Sequence, residues 1–162
     1  NVAGTGHFRR TGEESLEDWN RILGVNLTGT FLMCQNALPE LVARRGTIVN
    51  VASIAGLSAH AYAAAYSSSK GGVVALTKTL AAEFATRGVR VNAVCPGGVM
   101  TPLVENFVGP EDGEEQLLMR IMPLMGALCE PSEIAEAISF LASNSMPNMT
   151  GAVLVVDGGT TL

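Results

Sequence analysis

Charge is scarce in this sequence of 162 residues. Only 15% are Asp, Glu, Lys or Arg, and the net charge is −5. With a pI near 5.0, the chain has no basic field with which to hold nucleic acid or an anionic membrane. No apolar run approaches the ~18 residues that a membrane span requires. Asn1-Val2-Ala3-Gly4 has neither the basic nor the apolar region of a signal peptide, and a cytoplasmic location is the expectation. Cysteine is sparse too: Cys34, Cys95 and Cys129 are odd in number and form no C-x-x-C pair, which points to buried reduced thiols rather than disulfides. No metal site is expected. The two histidines, His7 and His60, have no partner at ligand spacing and read as surface residues.

Apolar residues, by contrast, are abundant. At 48% apolar content and a mean hydropathy of +0.31, the composition suits strands covered on both faces. The chain alternates helical patterns with short apolar strands and has no repeat or linker, the pattern of a parallel α/β sheet in a single domain. Ser15-Leu16-Glu17-Asp18 is a capping-box pattern, and Trp19, Ile22, Leu23, Leu27, Phe31, Leu38 and Leu41 follow at helical spacing to about residue 43. A strand is expected at 47–53 and a helix at 66–86, ended by Gly88. Another strand is expected at 89–94, stopped by Pro96-Gly97. A loosely patterned stretch from 101 to 125 precedes a helix opened by Pro131. A last strand at 152–156 closes on Asp157-Gly158-Gly159. Three strands and three helices in alternation make half of a doubly wound sheet.

Four residues carry candidate chemistry. Tyr66 and Lys70 are four apart at a helix start, so they share a face. A phenol with a pKa of ~10 is a poor acid or base at neutral pH, and a nearby ammonium lowers that value. The pair is either an acid/base device or a surface contact. Ser53 ends a strand, where open α/β sheets bind their ligands. It can donate to a carbonyl oxygen that gains negative charge, or it can merely cap the turn into Ile54-Ala55-Gly56. Asn26 falls among apolar helix positions, where a buried amide needs partners. It marks a helix kink or, beside a tyrosine–lysine pair, a held water.

Taken together, Asn1-x-Ala3-Gly4, Asn26, Ser53, Tyr66-x-x-x-Lys70, Pro96-Gly97-x-x-x-Thr101 and Val156-Asp157-Gly158-Gly159 resemble the short-chain dehydrogenase/reductase family. The order matches, and so does the 13-residue step from Ser53 to Tyr66. The resemblance runs over the whole chain. It implies an NAD- or NADP-dependent oxidoreductase that interconverts a carbonyl compound and a secondary alcohol. Tyr66 would be the general acid/base and Ser53 would polarise the substrate oxygen. Lys70 would tune the tyrosine and hold the nicotinamide ribose, and Asn26 would hold a water in a proton relay. Pro96, Gly97, the backbone at Val99 and the Thr101 hydroxyl would meet the cofactor, with Asn1, Ala3 and Gly4 near its adenosine side. Residues 102–128, with Leu103, Phe107, Leu117, Met119, Met122 and Met125, look like the family's substrate lid and hint at a hydrophobic substrate. A homotetramer is implied, with one interface on the two long helices and another on the final helix and strand.

The sequence departs from the family at Val2, where a second Asn is usual, and at Ala127 and Cys129, where Arg and Gly are common. The Gly-rich cofactor turn G-x-x-x-G-x-G is absent from these residues. The fold class implied is therefore α/β, a partial doubly wound, Rossmann-like parallel sheet, second half only. Residues 1–162 would be the C-terminal portion of one domain, short of three βα units, roughly 90 residues at ~30 per unit. Strand 47–53 becomes an outer edge, and the fragment alone is expected to be inactive. The alternatives are a non-catalytic remnant that keeps only assembly interfaces, and a serine hydrolase. The second is opposed by Val51 and Ala55 at the glycine positions of a G-x-S-x-G elbow.

Overall fold

A computed structural model describes all 162 residues. Three parallel strands, β1 (Thr47–Val51), β2 (Arg90–Pro96) and β3 (Val153–Val156), form one sheet in the order β1-β2-β3. As the sequence implies, β1 lies at the outer edge, where the Asn1 amine donates to the Val49 carbonyl and the Asn1 carbonyl accepts from the Val51 amide, both at 2.9 Å. The centre of the sheet is β2, whose Val91, Ala93, Val94 and Cys95 are fully excluded from solvent.

Side chains alternate across the strands, so the sheet has two apolar faces. On one side Ile48 and Val91 pack with Cys34 of α2 (Gly29–Arg44) and Leu80 and Phe84 of α3 (Ala64–Phe84). Toward the carboxyl ends Ala52 and Cys95 continue this face against Val73 and Val74 of α3. On the other side Val49, Val94, Leu154 and Val156 pack with Ile134 and Leu141 of α5 (Pro131–Ala142). Helices on both faces of a parallel sheet make the fold the α/β, Rossmann-like arrangement expected. Pro131 stands at the first turn of α5, and Glu130 and Glu133 close a capping box there.

The first long helix departs from expectation. The spacing reads as one unbroken helix, but α1 (Leu16–Leu23) passes into a π-helical turn, Gly24–Thr28, before α2 resumes the register. Asn26 lies inside that turn and is 1% exposed, so the kink reading of this residue holds. The Ser15 hydroxyl accepts from the Asp18 amide at 3.0 Å. The return bond of a capping box is missing, because the Asp18 carboxylate instead takes Arg9, at 2.7 Å, and Arg21, at 3.0 Å.

Gly72 lets α3 approach the π turn, since a Cβ there would meet the Leu27 side chain at 2.6 Å. Gly56 is tighter still: a Cβ there would stand 2.6–2.8 Å from backbone atoms of Lys70 and Gly71. Early glycines in a long helix thus serve contacts inside the chain. All three cysteines are buried and free, and no helix is long and apolar enough to cross a membrane.

Candidate active site

The carboxyl ends of β1 and β2 open onto a cavity of about 670 Å³. Ser53, just past β1, and Tyr66 and Lys70, on the first turns of α3, all line it, with Pro96, Gly97, Val99 and Thr101 on the far wall. Leu103, Phe107 and Met122 of the expected lid close it from above. Met119, Met122 and Met125 are all exposed, and of the three only Met122 also lines the cavity. The lid is ordered by a turn at Pro102–Asn106 and a short helix, α4 (Glu115–Met119). Its far end is tied back where Cys129 and Gly98 share a backbone bond of 2.9 Å.

Ser53 caps the turn that follows it. Its oxygen accepts from the Ala55 amide at 3.1 Å, capping the turn Ile54–Gly56. Because that bond uses a lone pair, the hydroxyl keeps its proton to donate, and Tyr66 is the neighbour that feels it. Lys70 is 3% exposed and spends one of its three protons on the Val51 carbonyl at 2.9 Å. Burial lowers its pKa to about 8.

Tyr66 does not show the depressed pKa that its spacing to Lys70 suggests. Burial pushes the phenol upward, against a hydrogen bond from Ser53 that pulls it down. The ammonium stands 5.8 Å from the ring centre and is turned to the Val51 carbonyl. Among the protein's own groups, desolvation outweighs the Ser53 hydrogen bond.

Asn26 is tied into the protein on several sides. Its amide oxygen accepts from the Thr5 amide at 2.8 Å, and its nitrogen donates to the Thr5 carbonyl at 2.8 Å and to Ser69 Oγ at 2.9 Å. Ser69 in turn donates to the Tyr66 carbonyl at 2.7 Å. The Asn26 carbonyl is taken by Thr30 at 2.7 Å. Asn26 therefore fastens the opening segment and the turn of α3 that carries Tyr66.

Of the opening segment, Gly4 and Val2 line the cavity, while Asn1 and Ala3 do not. The Asn1 side chain is spent on Asn50, at 2.9 Å. Gly97 has a packing reason of its own, because a Cβ there would lie 2.9 Å from the Asp157 Cα. The Asp157 carboxylate accepts from the Gly159 and Thr161 amides, each at 3.0 Å, so Val156-Asp157-Gly158-Gly159 is a turn built against the cavity's far wall.

Three participants, Gly6, Phe8 and His60, were not assigned to the site from the sequence. Phe107 stands edge-on to both Phe8 and Tyr66, with centroids 5.0 Å apart in each pair. Gly6 lies beneath them, where a Cβ would meet Tyr66 at 2.5 Å and Phe107 at 2.8 Å. His60, read as a surface residue, lines the cavity. Gly6 and Phe8 follow the opening motif directly, and no spacing rule connects them to residues 66 and 107.

A parallel sheet covered on both faces, with a cavity beyond its carboxyl ends, defines a Rossmann-like α/β protein with its ligand site in the usual place for such folds. The family model described as enoyl-(acyl carrier protein) reductase matches residues 1–161, and the chain belongs to the short-chain dehydrogenase/reductase family. It is 41% identical to 3beta-hydroxysteroid dehydrogenase 1 of Eggerthella lenta over 100% of this chain and 62% of that protein. It is 44% identical to a 3-oxoacyl-(acyl-carrier-protein) reductase of Thermotoga maritima over 88% of this chain and 57% of that protein. The crystal structure of a 3-ketoacyl-(acyl-carrier-protein) reductase from Brucella melitensis complexed with NADH superposes with a TM-score of 0.88 at 35% identity, covering 99% of this chain and 65% of that one. The chain thus spans about three fifths of the length of the curated relatives it matches.

Proposed function

We propose that this chain carries the catalytic half of an NAD(P)-dependent oxidoreductase that interconverts a carbonyl compound and a secondary alcohol. The observation that carries this reading is the meeting of Ser53, Tyr66 and Lys70 in one largely apolar cavity. The Lys70 side chain, almost wholly buried, still has two unspent N–H donors there. Buried donors without acceptors are costly, and the vicinal hydroxyls of a nicotinamide ribose match two such donors. Residues 96–101 offer backbone and the Thr101 hydroxyl along the facing wall. The donor set therefore fits the cofactor's nicotinamide end. A bound nicotinamide supplies or takes the hydride at the substrate carbon.

The remaining chemistry belongs to the side chains. With its pKa raised by burial, the Tyr66 phenol rests in its protonated form, the form that donates to a carbonyl oxygen. With substrate bound, the Ser53 hydroxyl turns its proton from Tyr66 to the same oxygen and stabilises charge that builds on it. Lys70, with a pKa near 8, is charged over the neutral range. It favours the phenolate once the proton has left, and it can pass a proton on. Asn26 supports Tyr66 through Ser69, and its proposed part in holding a relay water through Lys70 stands beside that role. Apolar walls keep bulk water from the reacting atoms and suit a hydrophobic substrate.

Tyr66→Phe in the intact protein tests the assignment. Loss of a general acid/base lowers turnover by about 10²–10⁴-fold, with the far-ultraviolet circular dichroism unchanged. Activity within tenfold of the parent on an accepted substrate removes Tyr66 from the mechanism.

A further inference from the structure

Five polar side chains line the cavity: Ser53, His60, Tyr66, Lys70 and Thr101. Four of them are assigned to the reacting carbonyl or the cofactor in the reading above. His60 is assigned to neither, and it makes no hydrogen bond to any protein group. It sits on the loop between the turn Ile54–Gly56 and α3, seven residues after Ser53 and six before Tyr66. Both ends of this short loop are thus fixed to residues at the reacting centre, which keeps the ring beside the bound substrate.

Burial pushes the His60 pKa down, so the ring is neutral at pH 7 and offers one N–H donor and one acceptor. The rest of the lining contains no carboxylate and no guanidinium. An anionic or cationic group away from the reacting end would be stripped of water with no counter-charge, which is prohibitive. An apolar skeleton is covered by Phe8, Phe107, Ile121, Met122 and Leu128. One further oxygen on that skeleton would find a partner in the imidazole.

We propose that His60 is a specificity-determining residue of this site, and that the substrates are uncharged ketones or secondary alcohols with an apolar skeleton and a second hydroxyl or carbonyl oxygen. The assignment of the reacting end rests on the oxidoreductase reading above. The His60 contact itself is a binding interaction and is measurable without turnover. A ligand that lacks the second oxygen leaves the imidazole desolvated and unpaired, so discrimination comes from the empty hydrogen bond as well as from the made one.

Calorimetry on the intact protein tests this with 2-decalone and the isomeric hydroxy-2-decalones as probes. In the parent protein at least one hydroxy isomer binds about three- to tenfold more tightly than 2-decalone, the worth of one neutral hydrogen bond. His60→Leu brings that isomer to within about twofold of 2-decalone, while His60→Gln, which keeps a donor and an acceptor, restores part of the preference. Should the leucine variant unfold, His60→Ala carries the same expectation. Absence of any preferred isomer in the parent, or survival of the preference in the leucine or alanine variant, overturns the proposal. Failure of the Tyr66→Phe experiment would undo the chemistry assigned to the cavity and leave this binding result to be judged by itself.

Discussion

At the scale of single residues, the site depends on a glycine that carries no chemistry. Gly6 has the Tyr66 ring and the tip of Phe107 resting where its Cβ would be. Its φ lies outside the left-handed region, so alanine costs nothing in backbone conformation and acts only by displacing those two rings. Gly6→Ala is therefore expected to lower kcat by at least about tenfold through misplacement of the phenol, with the unfolding midpoint nearly unchanged. Steady-state kinetics beside a denaturant titration checks this, and a parent-like kcat would mean that the rings shift freely. Lys70 supports a second expectation, with a defined sign. Its pKa falls from 10.5 in the unfolded chain to about 8 in the fold. Between those values the unfolded chain binds more protons than the native one, so stability rises with pH there. The stability difference between the parent and Lys70→Met, measured in urea, should grow in the parent's favour from pH 8 to pH 10. A flat difference would mean that Lys70 titrates normally.

At the scale of elements, the lid is fastened to the body by a small latch. The Arg10 guanidinium donates to the Asp112 carbonyl at 2.8 Å and to its carboxylate at 3.2 Å, and it lies 5.5 Å over the Tyr62 ring. The Tyr62 hydroxyl accepts from the Glu114 amide at 3.0 Å. Tyr62 is held at φ 64°, a costly conformation for an aromatic residue. Each hydrogen bond is worth about 1 kcal/mol, and the exposed ion pair adds little. Arg10→Ala with Tyr62→Phe should speed cleavage after Glu111 and Glu114 by a Glu-specific protease about tenfold or more, read by mass spectrometry. Unchanged cleavage would show that the lid is held elsewhere. Nothing in the sequence announced this latch, because it joins residues 10, 62 and 112–114 with no periodicity between them. The elements that were legible are those with a repeating apolar pattern or a strong terminator: both long helices, all three strands, and the start of α5 at Pro131. The π turn was hidden because one extra residue in a helix leaves the apolar spacing nearly intact. Ser53, Tyr66 and Lys70 were legible because they fall within 18 residues and on two adjacent elements. Phe8, Gly6, His60 and the anchoring bonds of Asn26 depend on how distant segments meet.

At the scale of the whole molecule, two groups stand out among the exposed apolar residues. Val25, Phe31, Leu32 and Met33 are all at least 41% exposed on the π turn and α2. Val25 and Leu32 are seven residues apart and so stack on one helical face. A second group, Phe140 of α5 and Val155 of β3, is exposed at the opposite end of the element order, next to the third strand. Two separate apolar patches on one chain suit two different isologous contacts, and two two-fold axes at right angles generate a tetramer. We expect the intact protein to be a homotetramer in which α2 forms one interface and α5 with β3 the other. Charge placed in either patch should remove one axis and leave the second. Leu32→Glu and Phe140→Glu are each expected to give dimers, and the double variant monomers, by multi-angle light scattering at micromolar concentration. Both positions are exposed within the single chain, so the substitutions spare its core, and thermal unfolding at equal concentration separates lost assembly from lost fold. A monomeric parent, or a tetramer that survives both substitutions, would leave the two patches without the role assigned to them here.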